Sequence, residues 1–263
     1  MNNYVVQRSK MDWPNFDVEV SKGFCVASSL PENTVVDFVQ LWDHYFSVDF
    51  RTVRHEIQGM SLRNLKAIEE STLINIEEFD SLRLSRAIQP DDMALFIDDD
   101  DWVAPDVFTK LNIEARTKGV IWGSVFLGRY AVDTHFEKAG GPVLQKRIQD
   151  KNVYTNNYAV SGRTILEDWE GRDYREHIVA DAAEKSGKWC PSIVSDYLSI
   201  ANKHPCCTVS AYVNMVSADF RADPRPFVKK YAFDLEQVDT PPELQWARSN
   251  ISELANLFKS SSS

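Results

Sequence analysis

Apolar residues recur along the chain at two periods, and the switching between them predicts strands and helices in alternation. "YVVQR" (4–8) and "FCVAS" (24–28) read as short strands. In "LPENTVVDFVQLWDHYF", Pro31 stands where a helix starts, and Val35, Val39, Trp42 and Phe46 recur at helical spacing, predicting an amphipathic helix. "FRTVRHEI" (50–57) reads as a strand, and "SLRNLKAIEES" as a helix capped by Ser61 with Leu62, Leu65 and Ile68 on one face. "FDSLRLSRAIQ" is a further short helix, and "MALFI" (93–97) has the continuous apolar character of a strand buried on both faces.

Beyond that strand, "PDVFTKLNIEARTKG" gives the clearest helical pattern, from Pro105 at its first turn to Gly119 as its stop. "VIWGSVFL" (120–127) and "NVYTNNYAVSG" (152–162) read as strands, "DYREHIVADAAEKSG" as a helix ending at Gly187, and "TVSAYVNMV" as a strand. "SIVSDYLSIANK" (192–203) fits either period. Near the end, Thr240 and Glu243 have the spacing of a capping box, followed by Leu244, Ala247, Ile251, Leu254 and Phe258 on one stripe. Such a helix docks on the chain's own core or on a twin subunit in a homodimer; its charges balance, which disfavours membrane docking. The expected architecture is α/β, a twisted mixed sheet flanked by helices, with residues 1–235 as one domain and 236–263 as an appended amphipathic helix and disordered serine tail.

Composition narrows the functions this architecture can serve. At 263 residues and 43% hydrophobic content the chain can bury a large core. A net charge of −10 argues against nucleic acid as a partner, since binding many phosphates needs a surplus of lysine and arginine. An anionic ligand then needs local help from a metal ion or a few placed cations. The four cysteines, Cys25, Cys190, Cys206 and Cys207, contain no C-x-x-C pair and suit a reducing compartment. "MNNYVVQRSKMDW" lacks the apolar segment of a secretory signal, and no apolar run approaches the roughly 20 residues of a membrane span. The expectation is a cytoplasmic protein, with a peripheral position at the inner membrane face as the other option.

One junction carries the chemistry. "MALFIDDDDWVAPDVF" sets Asp98, Asp99, Asp100 and Asp101 at the exit of the apolar strand. In open α/β folds ligands bind at that rim of the sheet. Neighbouring carboxylates repel by around 1 kcal/mol per pair in water and by more where solvent is excluded. A hard cation such as Mg²⁺ or Mn²⁺ reverses that penalty.

"FIDDDDWVAPDVF" resembles the D-x-D motif of GT-A (Rossmann-like) nucleotide-sugar glycosyltransferases, in which a similar strand ends in Asp-x-Asp-Asp and a helix opening with proline follows. Within that superfamily, "SLRLSRAIQPDDMALFIDDDDWVAP" and "YLSIANKHP" are most similar to bacterial rhamnosyltransferase-like sequences. The resemblance implies a metal-dependent transfer of a hexose or deoxyhexose from a nucleoside-diphosphate sugar to a glycan or lipid-linked acceptor, as in polysaccharide biosynthesis. It implies that Asp98 contacts the nucleotide ribose or the metal's water shell and that Asp100 ligates Mn²⁺ or Mg²⁺. Asp101 either supports the metal or caps the helix, and Asp99 faces the other side of the strand end. His204 corresponds to a late histidine that serves such enzymes as a metal ligand or diphosphate contact.

The remaining candidates are less constrained. Arg83 and Arg86, ahead of the strand, and Lys203 offer cationic donors to a nucleotide sugar. Asp196 is the candidate base for the acceptor hydroxyl, with Asp168, Glu167 and Asp173 as rivals. Trp102, Trp122 and Trp169 are able to stack on a sugar but are more often core. Two other functions compete. "DDDWV" also fits a haloacid-dehalogenase-like phosphatase using Asp99 as nucleophile and Asp101 as acid, although that motif normally follows the first strand of its fold. An inactive, sugar-binding GT-A-like domain is the non-enzymatic reading.

Overall fold

The computed structural model describes residues 1–8, 38–128, 144–147, 156–168, 191–207 and 217–261. Along these residues run β1 (Asn3–Arg8), α1 (Phe38–Tyr45), α2 (Phe50–Lys66), β2 (Thr72–Asn75), α3 (Ile76–Leu84), β3 (Met93–Asp98), β4 (Trp102–Val103) and α4 (Ile113–Lys118). There follow β5 (Val120–Gly128), β6 (Leu144–Arg147), β7 (Tyr158–Ser161), α5 (Gly162–Asp168), β8 (Ser192–Lys203), α6 (Ala218–Ala222), α7 (Arg225–Glu236), a 3₁₀ helix (Pro242–Ala247) and α8 (Arg248–Ser261). The protein is mixed α/β, as the alternating periods predict. Its strands are ordered β2-β1-β3-β7-β5-β8-β4, with β6 beside β5. β1 pairs in parallel with β2 and β3, whereas β7 runs antiparallel to β3 and β5, and β4 antiparallel to β8.

Contacts divide the chain into two compact units. The first comprises Met1–Ser9, Ser61–Val125 and Lys146–Ala201. Its centre is β3, buried at every position. Ala94 and Phe96 project from one face of that strand into a cluster with Val6, Phe79, Ile88, Ile121, Tyr158, Val160 and Ile165. The β1–β3 register opposes Val6 to Phe96 and Arg8 to Asp98. Because side chains alternate along a strand, Arg8 and Asp98 continue the Val6–Phe96 face to the carboxyl rim. Gly162 begins α5 where a Cβ would lie 1.9 Å from the Gln89 carbonyl oxygen, so the chain approaches there as only glycine permits.

The second unit comprises Lys10–Met60, Phe126–Gln145 and Asn202–Ser263. An aromatic core fills it: Phe38 stacks on Phe220 at 6.1 Å between ring centres, and Trp42 meets Phe258 edge-on at 6.3 Å. The predicted stripe of α8 is buried at Ile251, Leu254 and Phe258, and the helix packs along α7. It docks on its own chain, one of the two options the sequence left open.

Several predicted elements are corrected. "FRTVRHEI" is helical, not a strand, and continues through Ser61 as the single helix α2. Phe50, Val53, Ile57, Met60 and Leu65 are buried at helical spacing, and Asp49 starts the helix by accepting from the Thr52 N–H at 2.9 Å. Ser61 is therefore an interior helical residue and caps nothing. The helix predicted from Pro105 is reduced to Ile113–Lys118; the chain between them makes successive turns, and Asn112 provides the cap through Ala115 N–H at 2.8 Å. Gly119 ends it as predicted, with φ of 82°. The capping box expected at Thr240 is displaced: the segment opens as a 3₁₀ helix with Pro241 at its N-cap and no side-chain cap. Ser260 and Ser261 belong to α8, and Ser261 is buried, so these serines are not a disordered tail. "SIVSDYLSIANK" resolves as strand β8, while α6 and α7 lie outside the predicted elements. The strands predicted at 24–28 and 208–216, the start of the helix predicted from Pro31 and the helix ending at Gly187 fall outside the described residues.

Candidate metal centre

β3 delivers four carboxylates into a turn. The Asp101 N–H donates to the Asp98 carbonyl at 3.3 Å, closing residues 98 to 101 on themselves. All four residues are buried, none more than 4% exposed. Oxygens of Asp98, Asp100 and Asp101 lie within 4.8 Å of one another; Asp99 is not in that group. Charges at such a separation repel by roughly 3 to 4 kcal/mol per pair at an effective dielectric of about 20.

The scaffold holds the turn against that repulsion. At the carboxyl end of β1, Arg8 Nη2 stands 3.1 Å from Asp98 Oδ1. On the far side, Asn156 Nδ2 donates to Asp101 Oδ2 at 3.0 Å. The amide is itself directed: its Oδ1 accepts from Ser124 Oγ at 3.0 Å and from Ser199 Oγ at 3.4 Å, and Ser199 Oγ accepts from Trp122 Nε1 at 3.1 Å. Every donor in this buried chain points toward Asp101, and aligned hydrogen bonds polarise one another.

The C-terminal turns of α2 clamp the backbone that follows. Ser61 Oγ donates to the Asp101 carbonyl at 2.7 Å. Asn64 takes the Val103 N–H at 2.8 Å and donates to the Val103 carbonyl at 3.0 Å, substituting for a strand neighbour. These two residues are one helical turn apart and so share a face. A strand, β4, and not a helix follows the aspartates, paired through Trp102 with Ile200. The capping role offered to Asp101 is thus corrected: its carboxylate receives Asn156.

The donor set fits a hard divalent cation. Three buried carboxylates supply only oxygen, the ligand Mg²⁺ and Mn²⁺ prefer.

Other predicted residues occupy different settings. Arg83, in the last turn of α3, donates to Asp80 Oδ1 at 3.2 Å. Arg86 is exposed just past that helix with φ of 57°, turning the chain toward β3. Asp196 is exposed on β8, and Asp168 is the last residue of α5, its side chain outside the described residues. In the second unit, Lys203 Nζ lies 5.3 Å from the centre of the Phe126 ring. His204 is wholly buried, its Nε2 3.3 Å from Arg54 Nη1; a guanidinium only donates, so this nitrogen accepts. Cys206 beside it is buried, and burial pushes its thiol well above the usual range despite the opposing pull of Arg54, which leaves it a poor nucleophile. Trp102 and Trp122 are core residues. Glu167 is exposed on α5, whereas Trp169 and Asp173 fall outside the described residues.

Arg8, Ser61, Asn64 and Asn156 were not among the predicted site residues. Arg8 carried a weak signal, a charge closing an apolar strand. The asparagines carried none, because their partners lie 39 and 55 positions away. No protein-family model matches the chain, and no curated protein matches it.

Proposed function

We propose that this protein is a metal-dependent glycosyltransferase of GT-A type, transferring a hexose or deoxyhexose from a nucleoside-diphosphate sugar to a glycan or lipid-linked hydroxyl. The observation that carries the reading is the buried trio of Asp98, Asp100 and Asp101 at the exit of the central strand β3. In a protein of net charge −10, a bound cation would supply the local positive charge that a pyrophosphate needs. Asp98, Asp100 and Asp101 would hold Mn²⁺ or Mg²⁺, which when bound takes up charge on the departing nucleoside diphosphate.

The chain's own residues supply the rest. Burial of the turn excludes water, which strengthens each electrostatic interaction within it. Arg83 and Arg86 are the nearby-in-sequence cations offered to the nucleotide. Asp196, exposed on β8, is assigned to take the acceptor hydroxyl's proton as the oxygen attacks the anomeric carbon.

A thermal-shift panel of nucleotides and nucleotide sugars, with and without Mn²⁺, tests this directly, since a ligand bound by the native state raises its melting temperature. The expected result is stabilisation by a nucleoside diphosphate only when Mn²⁺ is present, lost in Asp100→Ala, with donor hydrolysis lost in parallel. Full activity in Asp100→Ala overturns the reading. Metal-dependent binding of donor without hydrolysis or transfer, across a range of acceptors, identifies a sugar-binding domain instead.

A further inference from the structure

Two ties on the aspartate turn differ in kind. Arg8 brings a positive charge to Asp98 at 3.1 Å, whereas Asn156 brings a neutral donor to Asp101 at 3.0 Å. Their effects on a cation entering the turn must therefore be opposite in sign. A guanidinium already occupying one side of Asp98 lowers the negative potential a second cation meets, and competes for the same oxygens. An amide donor adds no net charge. It fixes the direction in which Asp101 presents its other oxygen, and hydrogen-bonded partners behind a ligating carboxylate typically raise metal affinity 10- to 100-fold.

We propose that Arg8 and Asn156 are opposed positioning residues for the metal centre: Arg8 is a built-in counter-cation that holds affinity down, and Asn156 is the orienting donor that holds it up. This inference rests on the metal-binding part of the function proposed above. Both residues are placed for it by the fold. The parallel register of β1 on β3 puts Arg8 opposite Asp98, and a slip of one residue would carry the arginine to the other face. Asn156 is wholly buried immediately before β7, with its amide directed by hydroxyls from β5 and β8.

The arrangement has a purpose in physical terms. Without cation, four buried carboxylates around one turn destabilise the fold, and Arg8 offsets part of that repulsion. With cation, the same guanidinium is surplus positive charge, so the turn tolerates the free state and releases metal more readily. Metal binding and folding are thereby linked through one side chain.

The test is titration of Mn²⁺ alone into the 263-residue protein, followed by calorimetry and by the electron paramagnetic resonance signal of free Mn²⁺. Arg8→Gln is expected to bind Mn²⁺ roughly tenfold more tightly than the parent, from the removal of one charge a few ångströms away. Its metal-free melting temperature should fall, and saturating Mn²⁺ should raise it by more than in the parent. Arg8→Lys keeps the charge and should bind as the parent does, so a loss of affinity common to both variants marks damage to the fold and overturns the assignment of Arg8. Asn156→Ala should bind roughly tenfold more weakly, within the range for supporting residues, with a broadened signal from bound Mn²⁺. Weaker binding in Arg8→Gln, or unchanged binding in Asn156→Ala, refutes the proposal while leaving the metal centre standing. Absence of Mn²⁺ binding in the parent protein itself removes the metal centre, and both proposals with it.

Discussion

At Asp49 the backbone N–H of Thr52, and then the Thr52 hydroxyl, hold the carboxyl below its ordinary value. The sign of its contribution follows. A carboxyl with a lowered pKa in the folded state adds stability above the unfolded pKa, about 3.9 for aspartate, and loses it as pH falls through the lower folded value. The destabilisation caused by Asp49→Ala should therefore be present at neutral pH and shrink below about pH 4, as read from urea unfolding curves across that range. This residue also shows why local chemistry was partly illegible. An aspartate three positions before a threonine is a cap signal in the sequence, but the stretch after it, "FRTVRHEI", mimics a strand over too few residues for the helical period to show. Only on reaching Met60 and Leu65, buried in step with Phe50, Val53 and Ile57, does that period declare itself.

Among elements, α2 carries the most consequence for the site, because its final turns replace a missing strand neighbour beside Val103. Asn64→Ala would leave both the N–H and the carbonyl of Val103 buried without their partner. The expected cost is about 1 to 3 kcal/mol of unfolding free energy, measured by denaturant titration. If the clamp also positions the turn, Mn²⁺ affinity falls in the same variant. Strands β1, β3 and β5 were legible because apolar runs bounded by polar residues leave few alternatives. The helix expected from Pro105 was not: proline at a first turn is permissive, yet the asparagine at 112 offers a better cap, and the intervening residues form turns. The aspartates themselves were legible as a cluster. Their supports at Ser61, Asn64 and Asn156 were not, since no periodicity links residues that meet only through tertiary packing.

On the scale of the whole molecule, each unit rests on a core of its own. Among the described residues no helix is long and apolar enough to cross a membrane. In the second unit the tail is integral, with Phe258 wholly buried against Trp42 and Tyr231. Phe258→Ala should cost about 3 to 5 kcal/mol, the range for emptying a packed phenylalanine site, and calorimetric melting is the measurement. The apolar stripe of α8 was legible from spacing alone, whereas α7, against which it packs, was not read at all. A helix with alternating charges and one exposed aromatic, Phe233, advertises little of its buried face.

The residues around the aspartate turn are drawn from nearly the whole first unit: Arg8 from its first strand, Ser61 and Asn64 from a helix, Asn156 and Ser199 from segments far downstream. Such a constellation has high contact order and closes slowly, because loop entropy is lost before any of its bonds is gained. During synthesis, the ribosome must release β8 before Ser199 reaches Asn156. A nascent chain shorter than that carries the aspartates, Asn156 and Ser124 but not the Ser199 hydroxyl, so the hydrogen-bonded chain behind Asp101 is completed only after β8 is free.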